Sequence, residues 1–298
     1  MPVERILITR HGYRSNWDTH VEPKPSPTGI DGDPPLSDHG VEQARELCEF
    51  LAQYEPKIDQ IFVSPFYRCI ETVNNLAERL DLRIYGENGF GEWYGRTRKT
   101  HPSPAPVTVL KSVFPRVDTE YEPICVPSTD GETIRELHDR AATALAQLIS
   151  TINQTKTDVK TLLICSHAAT IIALGRALVG DDTVEIRTGT CSISVYESAA
   201  GDDNNDNNNN NNTATTTTTT TTTNYYNNKG LGKWKFVANG YTAHLTNGEE
   251  RHWSFEQGQY DFLDLQAYAV KNDGTAKQNN IQVLQSLEST ETPGQGSS

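Results

Sequence analysis

The chain has 298 residues and a formal net charge of −13 at pH 7. Without a broad basic face, this composition excludes a free-standing nucleic-acid binder, and no direct nucleic-acid contact is expected. No apolar run approaches membrane-spanning length, so no membrane association is expected either. The five cysteines show no CxxC spacing and lie mostly in apolar periodic segments, which predicts packed thiols in a reducing, intracellular compartment. The first residues enter a strand at once, with no pattern of a signal or transit peptide.

The first hundred residues are predicted to alternate between strands and helices. Strands are predicted at Arg5–Thr9, Gln60–Val63 and Leu82–Tyr85. Ser37 is the predicted N-cap of one helix, and a second helix follows the middle strand. Each helix has one apolar face. These faces consist of Val41, Ala44, Cys48 and Leu51 in the first helix and of Ile70, Val73, Ala77 and Leu80 in the second.

The middle of the chain combines an irregular stretch with a long helix. Residues 102–127 are punctuated by proline, show little regular pattern and are expected to form a lid or rim. Residues 129–132, Thr-Asp-Gly-Glu, match a capping box that opens the helix. The positions predicted to face inward are Ile134, Leu137, Ala141, Leu145, Leu148 and Ile152. A strand at Thr161–Cys165 and a helix at Ala168–Leu178 follow.

The last third of the chain contains two low-complexity segments. A strand is predicted at Ser192–Tyr196, and Lys233–Val237 and Tyr241–Leu245 flank Asn239-Gly240, a strong hairpin signal. The Asn/Thr-rich insert 201–228 and the polar tail 258–298 are expected to be disordered, because neither can bury enough apolar surface to offset its ordering entropy. The elements therefore predict one α/β domain, residues 1–257, interrupted by the insert. Its expected form is a three-layer sandwich with a mostly parallel sheet flanked by helices.

Three separated segments carry cationic or imidazole side chains just after predicted strands. Arg10 and His11 follow the first strand, Arg68 lies just beyond the second and His167 follows the fourth. If these strands are parallel neighbours, their carboxyl ends meet at one edge of the sheet. Guanidinium forks match phosphate oxygens, so the pattern predicts a phosphoryl-transfer pocket that needs neither a metal nor another cofactor.

Five motifs in chain order resemble those of the histidine phosphatase superfamily, in the branch that includes phosphoglycerate mutases. They are Arg10-His11-Gly12, Leu36-Ser37-x-x-Gly40, Ser64-Pro65-x-x-Arg68, Gly91-Glu92-Trp93 and Ser166-His167. The resemblance implies a phosphoglycerate mutase-like fold. More narrowly, segments 10–17, 28–31, 64–69 and 91–94 resemble the phosphatase-like subunit of yeast transcription factor IIIC and its short fungal relatives. That likeness implies transcription factor IIIC subunits as partners and a location in the nucleus, the cytoplasm or both.

The resemblance also implies a role for each site residue. His11 is the expected nucleophile, Glu92 the expected proton donor and His167 a second imidazole that hydrogen-bonds the phosphoryl group. The expected substrate-binding residues are Arg10, Arg14, Asn16 and Arg68. If Glu92 has no such role, Asp31 or Asp33 is the next candidate acid. The alternatives for these residues are surface salt bridges for the arginines, a helix-capping core histidine for His167 and a turn glutamate for Glu92.

Two functional hypotheses follow. The first is a metal-independent phosphatase that acts through phosphohistidine on a phosphorylated small molecule or phosphoprotein, with phosphotyrosine-like or other bulky groups as one substrate class. The second is an interaction module of a polymerase III transcription complex, with weak or no catalysis and an anion site in place of an active site. Because the full set of site residues is present, the first hypothesis is favoured. Phosphoglycerate mutase activity is disfavoured, because residues 96–127 offer no tight arginine pair.

Overall fold

A mixed sheet forms the centre of the computed structural model, which describes residues 2–18, 21–97, 101–156, 158–199 and 226–256. The strands of these residues are β1 (Arg5–Arg10), β2 (Gln60–Val63), β3 (Ile84–Gly86), β4 (Thr161–Ser166), β5 (Ile193–Ser198) and β6 (Trp234–Tyr241). Their order is β3-β2-β4-β1-β5-β6. Strands β1 to β4 are parallel, and β5 is antiparallel to both of its neighbours. The predicted mostly parallel sheet is confirmed.

Helices cover both faces of this sheet. They are α1 (Asp38–Leu51), α2 (Tyr67–Leu80), α3 (Val107–Val113), α4 (Ile134–Thr155) and α5 (Ala168–Val179). In β1, Ile6 and Ile8 join the apolar core formed with α4 and α5, whereas Leu7 joins the core formed with α1 and α2. Because alternate side chains of a strand point to opposite faces, this pattern defines helix, sheet and helix layers. The predicted three-layer sandwich is therefore confirmed.

The start of α1 follows the prediction, but one of its predicted core positions is wrong. The Ser37 side chain accepts a hydrogen bond from the Gly40 amide at 3.0 Å, which makes it the N-cap. Ala44, Cys48 and Leu51 are buried as predicted. Val41 is 41% exposed instead. The apolar stripe therefore starts one turn later than the sequence periodicity suggested.

The capping box of α4 lies four residues beyond its predicted place. Thr133 Oγ1 accepts from the Glu136 amide at 3.2 Å, and Glu136 Oε2 accepts from the Thr133 amide at 2.8 Å. Glu132, the predicted partner of Thr129, is buried in a two-bond ion pair with Arg140. Ile134, predicted to face inward, is exposed because it is the first residue of the helix and precedes the stripe that packs on the sheet.

The predicted hairpin at Asn239-Gly240 is wrong, because one continuous strand passes through it. Strand β6 pairs with β5 along its whole length, with register shifts near this site. The Asn239 side chain donates to the Glu185 carbonyl at 2.9 Å and accepts from the Arg187 amide at 2.7 Å. Gly240 has a φ of +63°, a conformation that favours glycine. The dipeptide therefore bends an edge strand onto a loop and does not reverse the chain.

Residues 102–127 contain a helix and pack under the sheet edge. Leu110 and Phe114 of the α3 region are buried against α2, where Phe114 lies 4.8 Å from the Tyr67 ring centre. The Ile84 amide donates to the Arg116 carbonyl at 2.9 Å, which covers part of the β3 edge. Residues 102–127 therefore pack against α2 and the edge strand β3, and the expectation of a lid or rim is wrong.

The low-complexity segments lie largely outside the described residues. The tail 258–298 and residues 201–225 of the insert belong there. At the end of the predicted insert, Tyr226 is buried and donates its hydroxyl to Asp182. Three residues assigned to that insert, 226–228, are thus ordered. All five cysteines are free thiols and four are buried. None of the helices in the described parts of the chain has the length and apolarity to cross a bilayer.

Candidate active site

The carboxyl ends of three adjacent parallel strands bring the predicted site residues together. In the sheet, β4 lies between β2 and β1, with Arg10 opposite Ser166 and Val63 opposite Cys165. The next residues along the chain therefore emerge side by side. The imidazole rings of His11 and His167 lie 5.3 Å apart between centroids, and each side chain is at most 1% exposed. This is the convergence that the strand pattern predicted.

His11 is held in one tautomer, with a neutral ring. Its Nδ1 lies 2.8 Å from the Gly12 carbonyl, which can only accept, so Nδ1 carries the proton and Nε2 has a free lone pair. Burial, followed by the charges of Arg68, Arg10 and Arg14, lowers the pKa of His11 well below its usual 6.5. A neutral imidazole with a free lone pair is the form that can attack phosphorus.

The backbone beside His11 approaches the start of α1 closely. A Cβ atom on Gly12 would lie 2.7 Å from the Gly40 carbonyl oxygen. Glycine is therefore required at this position for the β1 exit and the α1 N-terminus to meet. The same Gly12 donates its amide to Thr72 Oγ1 at 3.0 Å, which ties the loop to α2.

Arg10 is anchored at one end of its guanidinium. Its Nη1 donates to the Thr188 carbonyl at 2.8 Å and to the Arg251 carbonyl. Among the described residues, no group is bonded to its buried Nε, and the same holds for Nε of Arg68. Burial lowers the pKa of Arg10 to about 10, against the opposing effect of Glu92, so the group stays charged at neutral pH. The unsatisfied donors suit an anionic oxygen.

Arg68 lies at the centre of a buried ion-pair network. Its Nη1 donates to Asp33 Oδ1 at 2.9 Å, and its Nη2 donates to Glu92 Oε2 at 3.1 Å. Burial alone would lower the pKa of Arg68, but the two carboxylates raise it above its ordinary value. Asp33, the reserve candidate for the acid, also accepts from the Tyr67 amide at 2.9 Å. It therefore fixes Arg68 and the start of α2, whereas Asp31 is exposed.

His167 and Glu92 meet on the other side of Arg68. His167 Nε2 lies 2.7 Å from Ser64 Oγ, and its Nδ1 lies 3.3 Å from Glu92 Oε2. Burial, followed by Arg68 and His11, lowers the pKa of His167 well below 6.5, so this ring is neutral as well. The Glu92 carboxylate oxygen contacts both a guanidinium and an imidazole.

The loop that carries Glu92 is fixed from behind by buried polar groups, of which Thr170 and Arg140 belong to none of the sequence motifs. The Gly91 carbonyl accepts from Thr170 Oγ1 at 2.7 Å and from Arg140 Nη1 at 3.3 Å. The Phe90 carbonyl accepts from Ser166 Oγ at 2.6 Å. Because these donors come from α4, α5 and the end of β4, the position of Glu92 is set by the packed layers.

A cavity of about 510 Å³ opens above these groups. Its lining residues are Arg10, Arg14, Asn16, Trp17, Gly32, Glu92, Trp93, Tyr94, Ala168, Ala169 and Trp253. The lining includes three charged side chains and four aromatic ones. Burial, and then Glu92, raises the pKa of Tyr94 to about 12, so its hydroxyl remains a hydrogen-bond donor. None of residues 102–127 lines this cavity.

Arg14 and Asn16 lie at the mouth of this cavity. The Arg14 guanidinium carbon lies 4.7 Å from the Trp17 ring centre, and its Nε donates to Asn16 Oδ1 at 3.1 Å. Burial lowers the pKa of Arg14 to about 10, and Arg68 adds to this effect. Asn16 itself is exposed. The structure therefore places Arg14 in the anion pocket and Asn16 beside it, as its hydrogen-bond partner.

Within the part of the chain that the structure describes, one set of side chains offers ligand atoms suited to a metal. His11, Glu92 and His167 present atoms within 4.8 Å of one another. The carboxylate of this set is already paired with Arg68, and Arg10 and Arg14 line the same cavity. Like charges repel, so the field of three guanidiniums disfavours a cation and favours an anion here.

Comparison with known proteins relates the chain to phosphatases and to a transcription factor subunit. The model of the histidine phosphatase superfamily (branch 1) matches residues 6–211. The transcription factor tau 55 kDa subunit of Saccharomyces cerevisiae is 37% identical over 268 residues, 86% of this chain and 59% of that protein. The ecdysteroid-phosphate phosphatase of Drosophila melanogaster is 30% identical over 199 residues, 60% of this chain and 25% of that protein. The chain thus spans 59% or less of the length of these relatives.

The fold has a match among solved structures. The crystal structure of the ecdysone phosphate phosphatase from Bombix mori, in complex with tungstate, superposes with a TM-score of 0.55. The match covers 85% of this chain and 98% of that one, at 18% sequence identity. At this identity the likeness establishes the fold alone.

Proposed function

Because the chain belongs to branch 1 of the histidine phosphatase superfamily, we propose that it is a metal-independent phosphatase acting through a phosphohistidine on His11. The observation that carries this proposal is the neutral His11 ring, with Nδ1 bonded to the Gly12 carbonyl and three guanidiniums nearby. This arrangement supplies a nucleophile and a charged cradle for a phosphoryl group in one buried place.

Substrate binding begins by replacing an internal anion. The Glu92 carboxylate now pairs with Arg68 and faces His167. The second pKa of a phosphomonoester is near 6. In the mechanism proposed here the ester binds as its monoanion, which carries one proton. On binding, that proton moves to Glu92, and the phosphoryl oxygens take over the contacts with the guanidiniums and the imidazole. This exchange leaves a dianionic substrate beside a protonated carboxyl.

Two displacements then complete hydrolysis. The lone pair of His11 Nε2 attacks phosphorus while the bond to the leaving oxygen breaks, and that oxygen takes the Glu92 proton. The Gly12 carbonyl, 2.8 Å from Nδ1, stabilises the positive charge of the phosphorylated ring. In the second step Glu92 removes a proton from water, the water oxygen attacks phosphorus and the bond to Nε2 breaks. The proton on Glu92 then passes to the phosphate, which leaves as a monoanion, and the free site with an ionised Glu92 beside Arg68 is restored.

An assay of the purified chain tests the proposal. We expect hydrolysis of p-nitrophenyl phosphate and phenyl phosphate at the same rate with and without EDTA. The control is His11→Gln, in which kcat should fall by about a thousandfold or more, because a nucleophile is lost. Absence of turnover on any phosphomonoester, or strict dependence on an added divalent metal, would contradict the proposal.

A second candidate function is association with transcription factor IIIC in the nucleus. It is favoured by the 37% identity to the tau 55 kDa subunit over 86% of this chain. In this alternative the chain is an interaction subunit and catalysis is weak or lost. Affinity capture from native nuclear extract, with mass spectrometry, tests it: the other subunits of that factor should be recovered with wild type and with His11→Gln alike. Recovery of none of them would reject this candidate.

A further inference from the structure

The cavity above the site is completed by a segment that lies beyond the matched family region. Residues 249–255, the closing segment, follow β6, whereas the family match ends at residue 211. This segment contributes Trp253 to the cavity lining and a carbonyl, that of Arg251, to the anchoring of Arg10. The site is therefore assembled from two parts of the chain that are far apart in sequence.

The closing segment is fixed to a short stretch, residues 187–190. Arg187 and Glu249 form a two-bond ion pair, and the Thr190 amide donates to the Glu250 carbonyl at 2.9 Å. The buried Thr188 hydroxyl donates to the Trp253 carbonyl at 2.7 Å and accepts from the Trp253 amide at 2.8 Å. Such paired bonds hold the backbone of Trp253 in one position.

Thr188 also connects Trp253, an aromatic residue of the cavity lining, with Arg10. Its carbonyl accepts from Arg10 Nη1 at 2.8 Å, while its hydroxyl holds the Trp253 backbone. The backbone of Trp253 therefore has a fixed place relative to the Arg10 guanidinium. An aromatic side chain held at a fixed distance from Arg10 can discriminate among leaving groups.

Trp17 is the second organised ring of the cavity lining. The Arg251 guanidinium carbon lies 5.2 Å from the Trp17 ring centre, and its Nη2 donates to the Trp17 carbonyl at 3.3 Å. Arg251 adopts a left-handed φ of +55°, an uncommon conformation for this residue type. The closing segment thus supplies one indole of the cavity directly and fixes another.

We propose that Trp253, together with Trp17, selects phosphomonoesters whose leaving group carries a planar aromatic ring. The inference rests on the proposed phosphatase function and assigns it a substrate class. The cavity lining combines two cationic groups, Arg10 and Arg14, with aromatic side chains, which matches a molecule that carries both a phosphate and a flat apolar ring. Aromatic rings interact more favourably with one another than apolar area alone explains.

Three substrates with similar alkyl leaving oxygens separate ring recognition from chemistry. They are benzyl phosphate, cyclohexylmethyl phosphate, which has similar size but no planar ring, and methyl phosphate. In Trp253→Ala we expect kcat/KM for benzyl phosphate to fall about tenfold, mainly through KM. Cyclohexylmethyl phosphate should lose less, and methyl phosphate should change less than about twofold. Trp253→Phe should restore most of the preference for benzyl phosphate.

The controls keep this proposal separate from the proposed function. Tyr241→Ala removes an exposed ring of β6 that does not line the cavity and should leave all three rates unchanged. Equal losses on the three substrates in Trp253→Ala would overturn the selection role while leaving the phosphatase function standing. If wild type hydrolysed neither these three esters nor p-nitrophenyl phosphate, the phosphatase function itself would fail.

A binding measurement covers the remaining cases. Calorimetry with benzylphosphonate and cyclohexylmethylphosphonate needs no turnover, and wild type should bind the benzyl compound more tightly. If Trp253→Ala does not fold, Trp253→Leu keeps an apolar side chain without the ring, and it should lose that preference. Equal affinities of wild type for the two phosphonates would overturn the proposal.

Discussion

The reacting groups and the aromatic side chains of the cavity above them are held in different ways. His11, Arg68 and His167 follow three adjacent parallel strands and are at most 1% exposed. Trp253 comes from a segment beyond β6, is only partly buried and is held by one threonine. We call His11, Arg68, His167 and the carboxylates paired with Arg68 the strand-exit cluster. Changes in this cluster should alter stability and the chemical step, whereas changes in the closing segment should alter which substrates bind.

The largest stability effect is expected where the strand-exit cluster is most deeply buried. In Asp33→Asn the Arg68 guanidinium loses the fully buried one of its two carboxylate partners, whereas Glu92 remains and the shape of the side chain is kept. Breaking one partner of a buried pair costs about 3–5 kcal/mol in the free energy of unfolding, which urea titration measures. The matched control is Glu42→Gln, which removes one partner of an exposed pair with Arg45 and should change little. Equal effects of the two substitutions would show that Asp33 does not stabilise Arg68.

A smaller but more selective effect is expected for Glu92→Gln. A general acid matters only when the departing oxygen must take up a proton. Turnover of an alkyl phosphate should fall roughly a hundredfold, whereas p-nitrophenyl phosphate, with a good leaving group, should keep much of its activity. The measurement is kcat/KM for both substrates in wild type and variant. A loss by the same factor on both would make Glu92 a residue that positions substrate.

The two regions also differ in how far the sequence predicts them. The strand-exit cluster could be predicted, because short motifs mark where each strand ends and parallel strands bring their ends together. The closing segment could not, because its contact with Thr188 joins residues 65 positions apart and no local pattern encodes it. Asn16 is an intermediate case. The sequence predicted that it lies near the other site residues, but it did not predict its hydrogen bond with Arg14.

Predictions from short sequence patterns were wrong at two places where contacts distant in sequence determine the local structure. Both residues 129–132 and residues 133–136 match the spacing of a capping box, and the pairing of Glu132 with Arg140 leaves only the second match available. Asn239-Gly240 has the composition of a turn, but its side chain and backbone contact residues 185–187. The sheet and its layers were predictable, because strands buried on both faces read as short apolar runs and the helices that cover them read as one-sided apolar periodicity.

A third expected effect is a dependence of stability on pH. Burial lowers the pKa of both His11 and His167 well below 6.5 in the folded protein, and both titrate near 6.5 when unfolded. Below pH 6.5 the unfolded state therefore binds protons that the folded state does not. Stability is fully present above that pH and declines as the pH falls, by up to about 1.4 kcal/mol per pH unit for each histidine.

Urea unfolding between pH 7.5 and 5.0 checks this dependence. The double variant His11→Gln with His167→Asn should show a shallower loss of stability on acidification than wild type, because the other titrating groups are common to both. Parallel curves for the two proteins would contradict the depressed pKa values.

The account depends most on His11 being the nucleophile, and trapping the intermediate tests this directly. Wild type is mixed with phenyl phosphate labelled with radioactive phosphorus and is quenched with alkali within milliseconds. A phosphorus–nitrogen bond survives alkali and breaks in acid, so the account predicts an alkali-stable, acid-labile label that mass spectrometry maps to His11 and that is absent from His11→Gln. Label on another residue, or turnover with no labelled protein at any time, would contradict it.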